Sequence, residues 1–188
     1  IFSLKYKGKI CNYNKPQLKG EHQIENAATA IGAILQMKDL GYKISKKSIN
    51  KGLYKTSWPG RLEKGYLNNI PIYLDGAHNT AGAEQIANFF KNNSINRWLI
   101  LGMLNNKDLY NYLLKLKKIF SGIIAIKIPG EKNSFLSYEI AKACKKINIR
   151  CVQKINIKEA NKYLVNEVKP KEIVVSGSLY LVGKIRNL

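Results

Sequence analysis

The chain has 188 residues, 45% of them hydrophobic and 23% charged, with a formal net charge of +20. That length holds one ordinary domain and part of a neighbour, and the composition is that of a soluble globular protein, not a disordered or fibrous one. No apolar run reaches the roughly 20 residues of a membrane-spanning helix, and Cys11, Cys144 and Cys151, odd in number and without a C-x-x-C pair, argue against a disulfide framework or a zinc knuckle.

In chain order, Leu4–Tyr6 and Lys9–Tyr13 flank Gly8 as the strands of a hairpin. Ile24, Ala27, Ala28, Ile31, Ile34 and Leu35 recur at helical spacing between Glu21 and Leu40, with Gly41 as the stop. A second helix follows Ser45, an N-cap residue type, and runs to about Tyr54. Trp58-Pro59-Gly60 breaks the pattern and marks a domain boundary, giving domains 1–57 and 58–188. Beyond it, Leu62–Leu67 and Ile70–Leu74 are strands joined at Asn68-Asn69. Helices and short apolar strands then alternate: helix Thr80–Lys91, strand Trp98–Leu101, a helix marked by Leu109, Tyr112, Leu113 and Leu116, and strand Ile123–Ile128. A helix through Ile140, Ala141, Cys144 and Ile147, strand Arg150–Gln153, helix Ile157–Val168, strand Ile173–Val175 and helix Leu179–Ile185 complete the chain. Continuously apolar strands, each followed by an amphipathic helix, specify a mainly parallel sheet covered on both faces, a Rossmann-like α/β domain.

In such sheets ligands collect at the carboxyl ends of the strands. Asp75-Gly76-Ala77-His78-Asn79 lies at one such end and Ser176-Gly177-Ser178 at another. A carboxylate at the first can accept hydrogen bonds from a ribose or help hold a cation, and Gly76 lets backbone approach a ligand. Helix capping alone explains Asp75 or Asn79 singly, but not Asp, Gly, His and Asn packed together. The second segment offers N–H groups and hydroxyls at a helix N-terminus, an anion site or simply an N-cap serine. Arg61, beside the Pro59-Gly60 turn, has the planar fork that suits phosphate. Neither His22 nor His78 has a partner at metal-ligand spacing, so no metal site is expected here. No G-x-x-x-x-G-K-[ST] cradle occurs in the chain, so a nucleotide site made from these residues alone lacks its main phosphate grip.

Five segments in order carry a resemblance: Gly20-Glu21-His22-Gln23-Ile24-Glu25-Asn26-Ala27-Ala28, Trp58-Pro59-Gly60-Arg61-Leu62-Glu63, Leu74-Asp75-Gly76-Ala77-His78-Asn79, Gly102-Met103-Leu104-Asn105-Asn106-Lys107-Asp108 and Ser176-Gly177-Ser178-Leu179-Tyr180-Leu181-Val182-Gly183. Together they closely resemble folylpolyglutamate synthase/dihydrofolate synthase, a branch of the Mur ligase superfamily. The resemblance implies an ATP-dependent amide ligase. ATP phosphorylates a pteroate or folyl γ-carboxyl, and the amine of L-glutamate displaces the phosphate. It implies that residues 1–57 are the tail of a P-loop ATPase domain, incomplete here, and that 58–188 are the C-terminal Rossmann-like domain. The phosphate loop and the Mg2+ ligands are then expected upstream of Ile1, and the fragment is expected to be inactive without them. Carried over by position, Asn26 contacts the adenine, Arg61 the phosphates and Asp75 the ribose side of ATP; His78 stands near the nucleotide or the forming amide and Ser178 in the glutamate pocket. Lys107 and Asp108 match without an assigned role. Thr80 stands where the family often has Pro, a tolerable exchange in a first helical turn. The implied partners are ATP, L-glutamate and dihydropteroate or folates, in a cytoplasmic monomer with no membrane contact.

Two other readings compete. A Mur-type ligase acting on a cell-wall precursor would carry an Asp-Asn-Pro-Arg-type motif, which is missing from the chain. A basic α/β module for nucleic acid would account for the charge. The excess, however, is nearly all lysine scattered over every helix, with only Arg61, Arg97, Arg150 and Arg186 as arginines. Base-reading surfaces lean on arginine forks and clustered aromatics, so compositional drift is the better account.

Overall fold

A computed structural model describes residues 1–186. It divides into two compact units, Ile1–Trp58 and Pro59–Leu188.

In the first unit, β1 (Phe2–Tyr6) and β2 (Lys9–Tyr13) form an antiparallel hairpin. Lys7 and Gly8 make its turn in the left-handed region, with φ of 47° and 78°. Helix α1 (His22–Asp39) buries Gln23, Ala27 and Ile31, while Ile24, Ala28, Ile34 and Leu35 are half-buried. Helix α2 (Lys46–Lys55) starts as its sequence demands: the Ser45 hydroxyl accepts the Ser48 N–H at 3.0 Å. Tyr13, Ile31 and Ile49 form the small core of this unit.

The second unit is built on a six-stranded sheet: β3 (Glu63–Leu67), β4 (Ile70–Leu74), β5 (Arg97–Leu101), β6 (Gly122–Ala125), β7 (Cys151–Gln153) and β8 (Glu172–Ser176). Their spatial order is β3-β4-β8-β5-β6-β7, with β3–β4 antiparallel and every other pair parallel. Five helices cover it: α3 (Thr80–Phe90), α4 (Leu109–Leu116), α5 (Ser137–Lys146), α6 (Ile157–Tyr163) and α7 (Leu179–Arg186). The two-residue period of the strands sorts the core into two layers. Leu99, Leu101, Ile123, Ala125 and Val174 pack against α3, α4 and α5. Trp98, Ile100, Ile124, Ile173 and Val175 pack against α6 and α7 on the opposite face. The predicted mainly parallel, doubly covered sheet is therefore present. Cys144 is fully buried in the first layer, as expected of a small core residue.

Several boundaries differ. Leu62, predicted to start a strand, has φ 45° and belongs to the preceding turn. The apolar run Ile123–Ile128 is strand only to Ala125. Ile126 and Ile128 stay buried, with the Ile128 N–H donating to the Ser134 hydroxyl at 3.0 Å. The strand expected from Arg150 begins at Cys151. The helix read through to Val168 widens after Tyr163 into a π-helical turn, Leu164–Val168, closed by Lys169 in the left-handed region. Apolarity reports burial, and at Leu62, Ile126 and Ile128 burial persists outside the strand itself.

Candidate functional site

The strand order decides where a site can form. Helices α3 and α4, which follow β4 and β5, cover one face, whereas α7, which follows β8, covers the other. Because β8 lies between β4 and β5, the chain leaves neighbouring strands in opposite directions there, and a crevice opens at their carboxyl ends. A cavity of about 180 Å3 lies at this point, lined by His78 from the loop after β4, Leu104 and Lys107 from the loop after β5, and Gly177 to Tyr180 after β8.

Close backbone packing holds these loops. Gly177 N–H donates to the Ala77 carbonyl at 2.9 Å, and the buried Ser176 hydroxyl donates to the same carbonyl at 3.2 Å while accepting the Tyr112 phenol at 2.9 Å. Burial pushes the Tyr112 phenol far above its ordinary range, so it remains a donor throughout the physiological range. Gly177 has φ +103°, and a Cβ there would meet the Gly102 carbonyl oxygen at 2.5 Å. Only glycine allows the β5 and β8 loops to come this close.

Of the sequence-predicted residues, His78 and Ser178 meet on the cavity. His78 Nδ1 lies 2.9 Å from the Gly76 carbonyl. A carbonyl only accepts, so Nδ1 carries a proton and Nε2 of the neutral ring is the acceptor. Ser178 is buried and accepts the Tyr180 N–H at 3.1 Å, capping α7; its own proton is still available to a ligand oxygen. Asn79 caps α3 by accepting the Gly82 N–H at 2.8 Å.

Asp75 and Arg61 are brought together one loop away. One Asp75 oxygen accepts the Leu62 N–H at 2.9 Å and the other the Ala77 N–H at 2.8 Å, tying the turn that carries Arg61 to the end of β4. The Gly76 N–H donating to the Gly60 carbonyl at 2.7 Å reinforces that tie. The four arginines then separate cleanly. Arg97 is buried and paired with Glu172, Arg186 bonds Glu63 at 3.0 Å, and Arg150 lies 5.0 Å from the Trp98 ring centre. Arg61 is exposed and has no hydrogen bond, ion pair or ring contact among the described residues. Asn26 belongs to the first unit, where its amide donates to Gln23 Oε1 at 3.0 Å and Gln23 in turn bonds the His22 ring.

Two features were not assigned from sequence. Asp108 caps α4, accepting the Asn111 N–H at 3.1 Å, and its bonds to Asn111 hold its carboxyl below the usual range. Lys107, one residue earlier, lines the cavity. Its place in the Gly102–Asp108 loop that follows a buried strand was the available signal. Among the described residues no group of three or more His, Cys, Asp or Glu could hold a metal ion, so these residues do not fit a magnesium site of their own. No helix of the described residues is long and apolar enough to cross a membrane.

Comparison with known proteins agrees with this geometry. Residues 61–188 match the family described as dihydrofolate synthetase, C-terminal domain. The dihydrofolate synthase/folylpolyglutamate synthase of Bacillus subtilis is 30% identical over 98% of this chain, which spans 43% of that protein. The folylpolyglutamate synthase crystal structure from Thermotoga maritima is 30% identical with a TM-score of 0.71, covering 92% of this chain and 39% of that one. A Mycobacterium tuberculosis folylpolyglutamate synthase complexed with ADP and AMPPCP shares the fold at 23% identity, with a TM-score of 0.79 over 92% of this chain and 41% of that one. The strand-end crevice, the ordered motifs and these matches together place the chain in the dihydrofolate synthase/folylpolyglutamate synthase family, to which it belongs through that family's C-terminal domain.

Proposed function

We propose that the protein containing this chain is an ATP-dependent ligase that joins L-glutamate to dihydropteroate or to the γ-carboxyl of a folyl glutamate. The observation that carries this reading is the crevice at the ends of β4, β5 and β8. There an oriented imidazole, a serine hydroxyl and a lysine ammonium converge on one cavity. Incoming glutamate presents carboxylates and an ammonium that must lose a proton before it attacks. Lys107 and the Ser178 hydroxyl suit the carboxylates, and His78 Nε2 suits the proton. ATP supplies the activated acyl phosphate. Toward it, Arg61, unengaged among the described residues, offers a guanidinium for phosphate, and the family resemblance assigns Asp75 to the ribose side and Asn26 to the adenine. A metal ion such as Mg2+ would be held by residues upstream, since no group of three or more His, Cys, Asp or Glu among the described residues could hold one. The reading places the protein in the cytoplasm as a monomer, with residues 1–57 belonging to the nucleotide-binding domain.

The test uses the full natural protein. Phosphate release is measured with ATP, dihydropteroate and L-glutamate, together and with each omitted. Release is expected only with all three. Arg61→Ala, which removes an exposed side chain that holds nothing in the fold, is expected to reduce kcat/KM for ATP by about tenfold to a hundredfold, with the melting temperature unchanged. A folded, ATP-binding protein that releases no phosphate with any folate acceptor would overturn the reading.

A further inference from the structure

Next to the His78–Ser178 cavity lies a larger groove of about 520 Å3, between the first turn of α4 and one face of α5. Lys107 lines both, so the two spaces share a wall. On α5, Tyr138, Lys142 and Lys146 are exposed and follow one another at four-residue spacing. Side chains so spaced stack along one helix face with Cβ atoms roughly 5–6 Å apart.

The charges in the groove differ in what they are free to do. Its carboxylates are turned back onto backbone: Asp108 accepts the Asn111 N–H at 3.1 Å and the Asn111 side-chain amide at 2.6 Å, and Glu139 accepts the Leu136 N–H at 2.7 Å. Lys107, Lys142 and Lys146 take part in no ion pair among the described residues. Lysines are common over this whole surface, so their presence alone means little. What sets these three apart is a groove that gathers them and shares Lys107 with the His78–Ser178 cavity.

We propose that this groove holds the polycarboxylate tail of the acceptor, a γ-linked glutamyl chain. Lys142 and Lys146 meet successive carboxylates, Tyr110 and Tyr138 flank the chain, and Lys107 stands where the reacting end enters the cavity. The inference rests on the ligase reading above. A row of point charges one helical turn apart matches a ligand with one carboxylate per repeat, whereas a single small anion would leave most of the groove empty. The row contains no arginine fork of the kind that reads bases or phosphates bidentately.

The experiment measures KM on the full natural protein for two acceptors, a folate bearing one glutamate and the same folate bearing three. Lys142→Glu combined with Lys146→Glu is expected to raise KM for the longer acceptor by about tenfold and to change KM for the shorter by less than about twofold. The neutral pair Lys142→Gln and Lys146→Gln, closer in shape, is expected to give a smaller shift in the same direction. The difference between acceptors should shrink at high salt. A variant that treats both acceptors alike, changed or unchanged, overturns the groove assignment while leaving the ligase reading in place. An unmutated protein that adds glutamate to neither acceptor overturns the groove assignment, and it removes the ligase reading too only if dihydropteroate also fails to support phosphate release.

Discussion

Asp75 terminates β4 with each of its oxygens accepting a backbone N–H, one from Leu62 and one from Ala77. The first of these bonds spans thirteen residues and fixes a turn in which Leu62 itself sits at φ 45°, a conformation that a branched side chain does not adopt unaided. Replacing Asp75 with Ala leaves two N–H groups without acceptors and releases that strain. Asp75→Ala is expected to lower stability by about 2–4 kcal/mol in urea denaturation at unchanged m-value, and Asp75→Asn, which keeps one acceptor oxygen, by about half as much. Any effect on ATP use then has two sources, the carboxylate itself and the displaced Arg61, and the Arg61→Ala variant separates them. The residue types of this site were readable from sequence because Asp, Gly, His and Asn at a strand end are costly to explain otherwise. The anchoring of one loop by another was not, since a hydrogen bond to a residue thirteen positions away leaves no local pattern.

Strands β5 and β8 meet through glycine at their carboxyl ends. Gly102 N–H and the Ser176 carbonyl are 3.4 Å apart, and Gly177 turns through φ +103° directly over the Gly102 carbonyl. Gly177→Ala combines a disfavoured backbone with a carbon placed 2.5 Å from that oxygen, so the loops must part. A loss of about 2–5 kcal/mol is expected, read as a fall in melting temperature, together with lower glutamate affinity on the proposed reading, because Ser178 moves with the loop. A melting temperature within a degree of the parent would show that the loops tolerate separation. Element types and order were legible throughout Pro59–Leu188, because strands buried on both faces read as continuous apolar runs and the helices between them carry clear amphipathic periods. Strand ends were less so. Ile126 and Ile128 are as buried as the strand before them; the Ile126 N–H still donates to Leu101 of β5, whereas the Ile128 N–H turns to the Ser134 hydroxyl.

At the scale of the whole chain, 32 Lys and Arg face 12 Asp and Glu. Several of those acids are already engaged locally, as Asp39 is with Lys7 and Tyr6, Glu63 with Arg186 and the Gly60 N–H, and Glu172 with Arg97. The uncompensated lysines repel one another over distances that salt screens, about 10 Å at 0.1 M and 3 Å at 1 M. Raising NaCl from about 0.05 M to about 0.5 M is therefore expected to raise the melting temperature by a few degrees. A fall would mean that surface attractions outweigh the repulsion. On the proposed reading the same charge bears on ligand capture, since ATP and glutamylated acceptors are anions and their association should slow as salt rises.

The sequence by itself determined the class of the fold, the order of its elements and the chemical types gathered at the strand ends, because periodicity, caps and breakers are local and survive without coordinates. It also carried the ordered motifs by which the family is recognised. Only the tertiary structure decided that β8 inserts between β4 and β5, since strand order depends on contacts between residues as distant as Leu74 and Val175. That insertion opens the crevice where His78, Lys107 and Ser178 share a cavity. It likewise decided which of four arginines is unengaged. Partners such as Arg97 with Glu172 and Arg186 with Glu63 become neighbours only once the sheet is assembled, which leaves Arg61 exposed and, among the described residues, without a hydrogen bond, ion pair or ring contact.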